Sequence, residues 1–142
     1  MRTVRQLLEA KAPDIYSVTP DTPIIEAIRL MADKRIGALL VMDGPRLAGI
    51  VSERDYARKV VLQGRASEDT PVSAIMTADV FTISPDDTAD RCMVSVTERR
   101  IRHLPVVKDG RVEGVVSIGD LVKAVIEDQQ LELDQLQRYI AS

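Results

Sequence analysis

The apolar positions in the first half of the chain fall into successive patterns that predict regular elements. The β-branched and aromatic stretch 15–18 predicts a short strand. Apolar residues at helical spacing over 24–31 predict a helix with one buried face. The apolar runs 39–42 and 47–51 have the length of buried strands, and Asp55 lies near the start of a second helix. The predicted order is β-α-β-β-α.

The same order of patterns recurs 65 residues later in the chain. Residues 15–55 align without a gap with residues 80–120, and 11 of the 41 aligned positions are identical. The identical pairs are Pro20/Pro85, Asp21/Asp86, Arg35/Arg100, Ile36/Ile101, Leu39/Leu104, Val41/Val106, Arg46/Arg111, Gly49/Gly114, Val51/Val116, Ser52/Ser117 and Asp55/Asp120. Neither copy is long enough to build a robust core alone. We therefore expect an α/β (α+β) fold of two β-α-β-β-α repeats packed sheet against sheet about a pseudo-twofold axis.

The repeat also suggests how the chain divides. The apolar positions of 4–8 recur at 72–76, which predicts a short helix before each repeat. We expect a first repeat with its N-terminal helix over 1–65, a second repeat over 66–127 and a C-terminal helical tail over 128–142. Asp21-Thr22-Pro23 predicts the start of the first helix, with cap candidates before a first-turn proline.

Composition and charge narrow the classes of function. The chain has 142 residues, a formal net charge of −3 and few aromatic residues, which disfavours a nucleic-acid binder. Its one Cys and one His, Cys92 and His103, exclude an internal disulfide and metal sites built from several such ligands. Cys92 lies on the apolar helix stripe opposite Ala27 and is expected to be a buried small hydrophobe. No stretch approaches the ~18 apolar residues of a membrane span, and the charged start lacks a signal peptide's apolar run. We expect a soluble, cytoplasmic protein that contacts neither nucleic acid nor membranes.

Two seven-residue segments carry a resemblance to a known family. Gly-Ile-Val-Ser-Glu-Arg-Asp occupies 49–55 and Gly-Val-Val-Ser-Ile-Gly-Asp occupies 114–120, each where a predicted strand meets a predicted helix. With the β-α-β-β-α order and Leu-Pro-Val-Val at 104–107, they make the chain similar to a tandem cystathionine-β-synthase (CBS) domain, also called a Bateman module. The resemblance covers roughly residues 4–127 and includes no catalytic domain. It therefore implies a stand-alone regulatory module.

The Ser and Asp residues of these segments have two interpretations. Ser52 and Ser117 are N-cap candidates with Asp55 and Asp120 three residues later, close to a capping box. The same geometry presents helix N–H groups to a phosphate, and a carboxylate can accept both hydroxyls of a ribose. The resemblance implies the second use, with Ser towards phosphate and Asp on the ribose of an adenine nucleotide of the AMP, ATP or NAD type.

The crossed arrangement of the resembled family implies two pockets, each built from both repeats. One pocket would combine Ser117, Gly119 and Asp120 with Tyr16, Ile36, Gly37 and Ala38. The other would combine Ser52, Arg54 and Asp55 with Phe81, Ile101, Arg102 and His103. Apolar side chains would hold the adenine while a few polar groups fix its orientation.

The two expected pockets differ in charge. Arg54, Arg102 and His103 are potential partners for a phosphate chain, whereas Gly119, Gly37 and Ala38 stand at the matching positions of the other pocket. We therefore expect polyphosphate or dinucleotide contacts to concentrate at Arg102 and His103. The smaller pocket would take a monophosphate or a nucleoside. A plainer alternative for His103 is a partly exposed residue at a strand edge.

The leading functional hypothesis is a non-catalytic sensor. An adenine nucleotide bound in the crevice between the repeats would change their packing, and an unidentified regulated protein would respond. The alternative is a ligand-independent dimeric scaffold whose Ser/Asp pairs only cap helices. An enzyme is disfavoured because no glycine-rich phosphate loop and no nucleophile–base pair is evident, and no catalytic cofactor is expected.

An amphipathic pattern continues beyond Asp120. The apolar positions after it include Val122 and Ile126, then Leu133, Leu136 and Ile140 at helical steps. The pattern predicts a long helix that either packs against the chain's own helices or pairs with a second copy. Because members of the resembled family commonly associate through helices, we expect a homodimer.

Overall fold

A computed structural model describes residues 2–11 and 14–141. Ser142, the last residue of the predicted tail, lies outside the described residues. The chain forms two compact units: Ile15–Phe81 is one, and the described residues of Met1–Asp14 and Thr82–Ser142 form the other. Both units mix helices with a small sheet, as the sequence predicted.

The regular elements follow the predicted order in the first repeat, and the second repeat has the helix, the two paired strands and the final helix of that order. The helices are α1 (Val4–Glu9), α2 (Ile24–Lys34), α3 (Glu53–Tyr56), α4 (Ala89–Arg99) and α5 (Ile118–Ala141). The strands are β1 (Ser17–Val18), β2 (Ala38–Asp43), β3 (Arg46–Ser52), β4 (His103–Lys108) and β5 (Arg111–Ser117). A π-helical turn, Ala57–Val61, continues α3, and a 3-10 turn covers Val72–Ala74.

The two hairpins of the repeats have the same register. Strand β2 pairs antiparallel with β3, and β4 pairs antiparallel with β5. Ala38 lies opposite Ser52, and His103 lies opposite Ser117. Each hairpin shifts register at one point, between Val41 and Met42 in the first repeat and at the matching residues of the second. The 65-residue alignment therefore holds at the level of individual strand pairs.

The first strand of the second repeat is shorter than the sequence predicted. In the first repeat β1 runs parallel to β2, and the N–H of Leu40 donates to the carbonyl of Tyr16 at 3.4 Å. The second repeat has only an isolated bridge between Ile83 and Val106 in place of a strand. Pro105 stands where Leu40 stands in the first repeat and has no N–H to donate. The predicted strand over 80–83 is therefore wrong in extent.

The first helices of the two repeats begin differently. Pro23 is the N-cap of α2 and makes no side-chain capping bond, so the expectation of a first-turn proline behind an Asp or Thr cap is wrong. The first two N–H groups of α2 donate instead to the carbonyls of Thr70 and Ser67, at 2.8 and 3.2 Å. Thr88 caps α4 in the ordinary way and accepts from the N–H of Arg91.

The predicted helix stripes form the buried faces of α2 and α4. Ile24, Ala27 and Met31 are buried on α2, and Ala89, Cys92 and Val96 are buried at the matching turns of α4. Cys92 is 1% exposed, which confirms it as a buried small hydrophobe. Its burial, aided by the charge of Asp87, raises the pKa of the thiol to about 11.

Helix α1 lies with the second repeat. The N–H groups of Val4 and Arg5 donate to the carbonyls of Asp87 and Pro85 at 2.8 and 2.9 Å, and α1 packs on β5 and α5. Residues 66–81 hold the corresponding place on the first repeat, where Val72 and Ile75 join its core. Each compact unit therefore combines one repeat with the segment that precedes the other repeat. The division of the sequence at 65/66 and 127/128 stays a prediction.

Helices α2 and α4 end at the same repeat position in the same unusual conformation. Arg35 and Arg100 are their C-caps, with φ of 56° and 55°. This left-handed conformation favours glycine, since a Cβ crowds the following carbonyl. Both repeats nevertheless carry Arg there.

Candidate functional site

The Ser and Asp residues of both motifs form capping interactions at the start of a helix. The N–H of Asp55 donates to Ser52 Oγ at 3.2 Å, and the N–H of Ser52 donates to Asp55 Oδ2 at 2.9 Å. Asp120 and Ser117 repeat these two bonds at 3.2 and 2.8 Å. The cap interpretation of the motifs is therefore confirmed in both repeats. It leaves the carboxylates half-buried at the carboxyl end of a strand.

These helix starts offer fewer unpaired amides than a phosphate site at a helix N-terminus would use. The N–H of Glu53 donates to the carbonyl of Gly37 at 3.1 Å, and the N–H of Ile118 donates to the carbonyl of Arg102 at 2.9 Å. The third amide of each helix is bound to the capping serine. Two of the orphan donors that a phosphate would use are thus already paired. Side chains must therefore supply much of any phosphate contact.

The hairpin register brings part of each predicted set together within one unit. Gly37 and Ala38 lie next to Ser52, because Ala38 is its strand partner. Arg102 and His103 lie next to Ser117 in the same way. The structure therefore places the basic pair Arg102–His103 beside the Ser117/Asp120 motif of its own repeat.

The remaining predicted residues divide between the two units. Tyr16 and Ile36 pack against the core of the first repeat, and the Tyr16 ring centroid lies 5.5 Å from Lys34 Nζ. Residues of the same unit also include Ser52, Arg54, Asp55 and half-buried Phe81, while Ile101, Gly119 and Asp120 belong to the other. Arg54 and Gly119 are both exposed on the first turn of their helices. The crossed grouping of residues from both repeats stays a prediction.

Lys11 is a residue of the second motif that sequence reasoning missed. Its ammonium donates to Asp120 Oδ2 at 2.7 Å and to the carbonyl of Val115 at 2.9 Å. It lies just beyond α1, more than 100 residues from Asp120 in sequence and outside the repeated segments. Nothing in the motif pattern points to it, since the contact depends on which repeat α1 packs against.

Lys11 contributes to the pKa shifts of two neighbouring groups, Asp120 and His103. Burial opposes ionisation of Asp120, but the hydrogen bonds and the charge of Lys11 and the bonds from Ser117 outweigh it and lower its pKa. The pKa of His103 is also lowered, first by burial and then by the charges of Lys11 and Arg102, while Asp120 acts in the opposite direction. Burial and the two neighbouring cations, Lys11 and Arg102, therefore favour the neutral form of His103.

In the first repeat, the motif carboxylate of Asp55 is paired with a lysine from a different part of the chain. Lys59 Nζ lies 3.3 Å from Asp55 Oδ1 and donates to the carbonyl of Ile75 at 2.9 Å. Lys59 is one helical turn after Asp55, and its counterpart in the second repeat is the buried Ala124. Each motif therefore pairs its aspartate with a lysine that is also anchored on a backbone carbonyl.

Comparisons with known proteins agree with this architecture. The CBS domain family matches residues 4–62 and again 72–127, so the chain belongs to the CBS domain family. It is similar to the mitochondrial CBS domain-containing protein CBSX3 of Arabidopsis thaliana, with 42% identity over 127 residues, which is 86% of this chain and 62% of that protein. The chain thus spans about three fifths of that relative's length.

Solved structures give the same picture. A protein with CBS domains from Burkholderia ambifaria is 56% identical, with a TM-score of 0.87 over 90% of this chain and 96% of that one. The CBS domain pair of protein MJ0100, solved in complex with 5′-methylthioadenosine and S-adenosyl-L-methionine, is 25% identical, with a TM-score of 0.77. That match covers 87% of this chain and 99% of the other. The predicted resemblance and fold class are therefore confirmed.

Two further features concern membranes and metals. Over residues 2–11 and 14–141, no helix has the length and apolar character needed to cross a membrane. In the same described part of the chain, no three His, Cys, Asp or Glu side chains cluster as metal ligands. The cytoplasmic location stays a prediction.

Proposed function

We propose that this chain is a non-catalytic regulatory module that binds an adenosine-containing nucleotide at its Ser/Asp motifs. Binding would change the conformation of the module, and an unidentified regulated protein would respond to that change. The ligand is an adenine nucleotide of the AMP, ATP or NAD type.

The observation that carries this proposal is the duplicated carboxylate. Asp55 and Asp120 hold the same position at the end of a strand, half-buried and hydrogen-bonded to the capping serine. A half-buried carboxylate at a strand end can accept both hydroxyls of a ribose. The adenosine compounds bound by the MJ0100 domain pair support the same ligand class for this chain.

Ligand-induced stabilisation tests the proposal. AMP, ATP and NAD are titrated separately against the purified chain while the melting temperature and the heat of binding are recorded. A ligand at about 100 times its Kd should raise the free energy of unfolding by about 2.7 kcal/mol. The Asp120→Asn and Asp55→Asn variants keep the side-chain size but lose the charge. At least one of them should weaken binding by about tenfold or more.

Asp134→Asn is the matched control. Asp134 lies on the exposed part of α5, where Gln130 donates to its carboxylate, and losing its charge should leave the affinity unchanged. If saturating nucleotide leaves the melting temperature unmoved, the alternative of a ligand-independent scaffold is favoured. Sustained product formation from ATP or NAD would instead identify an enzyme.

We also propose that phosphate contacts concentrate at Arg102 and His103. Arg102→Ala should weaken ATP or NAD binding more than AMP binding, whereas equal affinities for all three ligands would contradict the proposal. A double-mutant cycle then identifies the motif that shares the ligand with Arg102. The cycle pairs Arg102→Ala first with Asp120→Asn and then with Asp55→Asn. Coupling with Asp55 would support the crossed pockets, and coupling with Asp120 would assign one pocket to a single repeat.

The C-terminal half of α5 supports a homodimer. Only Leu121 and Ala124 are buried among its 24 residues, while Ile126, Leu133, Leu136 and Ile140 are each more than half exposed. Those four residues follow the a and d spacing of a heptad, with Val122 and Gln129 completing the seam. Such a seam is complementary to a second copy of itself.

Sedimentation equilibrium tests the dimer. The intact chain should sediment with the mass of two chains at micromolar concentration, and Leu136→Glu should reduce it to one. Leu131→Glu is the control, because Leu131 is equally exposed but lies on the opposite face of the helix. A mass of one chain for the intact protein would rule out the dimer.

A further inference from the structure

Lys11 occupies a fixed position at the second motif. Helix α1 is held at its start by Arg2, whose guanidinium contacts Glu127 and Asp128, and whose carbonyl accepts from the N–H of Ala89 at 2.9 Å. At the other end Leu8 lies against Gly114, where a Cβ would come within 2.8 Å of the leucine Cδ2. The absence of a side chain at Gly114 thus permits the close approach of α1 to β5. This packing places Lys11 beside Asp120.

The ammonium of Lys11 retains capacity for a ligand. A lysine ammonium has three N–H donors, and the contacts to Val115 and Asp120 use two of them. The Lys11 side chain is 37% exposed, so an anion can reach it from solvent. Both Ser117 and Lys11 bind the same oxygen of Asp120, Oδ2. Neither of these two bonds uses the other oxygen, Oδ1.

The Ser117/Asp120 motif has more positive charge around it than the Ser52/Asp55 motif. Lys11 and Arg102 both lie close enough to influence His103, and Asp120 is the carboxylate among them. The motif of the first repeat has Gly37 and Ala38 at the positions of Arg102 and His103. An anionic group placed beside Asp120 would therefore meet two cations and one carboxylate, a net positive charge that favours it over a cationic group.

We propose that Lys11 is a specificity-determining residue that selects phosphorylated adenosine over neutral or cationic adenosine derivatives at the Asp120 motif. The inference rests on the proposed function, since it assumes that Asp120 binds the ribose. Lys11 holds the carboxylate with one donor and meets the ligand phosphate with another. The ligand class is thereby narrowed to nucleotides that carry a phosphate.

Binding of three ligands that share the same nucleoside tests this role. AMP, adenosine and S-adenosyl-L-methionine are titrated calorimetrically against the wild-type chain and Lys11→Met. The wild type should bind AMP more tightly than the other two. Lys11→Met should weaken AMP binding about five- to twentyfold and change adenosine binding by less than about twofold. The preference for AMP over S-adenosyl-L-methionine should fall correspondingly.

Two further variants separate this role from a loss of structure. Lys11→Arg keeps the positive charge and should keep most of the AMP preference. Lys123→Met removes an exposed lysine from α5 of the same unit and should leave all three affinities unchanged. The melting temperature of each variant reports whether α1 stays in place.

The possible failures are distinguishable. If Lys11→Met weakens AMP and adenosine equally, Lys11 only positions Asp120, and the specificity role is overturned while the proposed function stands. Unchanged AMP binding in Lys11→Met overturns it as well. If the wild type binds none of the three ligands, the proposed function and this inference fall together.

Discussion

The two repeats build the same motif geometry and stabilise it with different parts of the chain. Asp55 is paired with Lys59, one turn along its own helix, whereas Asp120 is paired with Lys11, which lies just beyond α1 and far from Asp120 in sequence. A local pair forms whenever its helix forms. A long-range pair forms only when α1 has packed on the second repeat. The difference shows how a duplicated motif can keep its geometry while its electrostatic partner changes.

The largest expected difference between the repeats concerns their matched glycines. A Cβ at Gly49 would lie 2.7 Å from Met76 Sδ and 2.8 Å from the backbone carbonyl of Thr77. At Gly114 it would meet only the end of the flexible Leu8 side chain. We expect Gly49→Ala to lower the free energy of unfolding by about 2–3 kcal/mol and Gly114→Ala by about 1 kcal/mol. Urea denaturation followed by circular dichroism measures both, and an equal cost would show that the segments on the two repeats are equally adaptable.

A smaller effect, of opposite sign, is expected at the two helix ends. Arg35→Gly and Arg100→Gly remove a Cβ from a left-handed residue and should each raise the free energy of unfolding by about 0.5–1 kcal/mol. The repeats should respond alike, because their φ angles differ by only 1°. Thermal unfolding of each variant and of Arg99→Gly, one residue inside the helix, provides the measurement and its control. Destabilisation of one repeat alone would reveal a contact of that arginine that outweighs the strain.

The smallest expected effect is a shift in the titration of His103. The pKa of folded His103 lies below its ordinary 6.5, so the unfolded chain binds more protons between the two values. His103 therefore contributes stability that is present above pH 6.5 and is lost as the pH falls towards the folded pKa. Lys11→Met removes one cause of the lowering and should move the pKa upwards. The chain has one histidine, so its ring proton resonances report the titration directly.

Lys123→Met again serves as the control for this titration, since Lys123 is not among the charges that act on His103. An unchanged histidine pKa in Lys11→Met would mean that burial and Arg102 account for the lowering. The contrast between the two motifs would then be one of geometry and not of electrostatics.

Much of the fold could be predicted because the pattern of each element occurs twice in the sequence. The strand runs, the stripes of α2 and α4 and the positions of both Ser/Asp motifs follow from apolar spacing and local capping rules. The pairing at Ile83 is shorter than predicted, because Pro105 has no N–H to donate to the preceding segment. Pro23 also acts as a cap because residues 66–70 supply acceptors that lie far along the chain.

The candidate site was predictable only in its local part. The capping geometry of Ser117 and Asp120 depends on four consecutive residues, so it can be predicted from the sequence. The contact of Lys11 with Asp120 could not be predicted in this way. Both repeats offer a similar apolar face, and the apolar pattern of 4–8 does not indicate which repeat α1 packs on. Which residues of the two repeats share one ligand stays a prediction for the same reason.

The position of α1 on the second repeat also has a consequence for the order of events during synthesis. Helix α1 is made before every other described element, yet the backbone carbonyls and carboxylates that hold it lie at residues 85–128. Helix α1 therefore lacks these packing partners until most of the chain has left the ribosome. Strands β2 and β3 of the Ile15–Phe81 unit pair with each other, so this hairpin can form meanwhile. The pairing of Lys11 with Asp120 thus marks a chain whose synthesis has passed the second repeat.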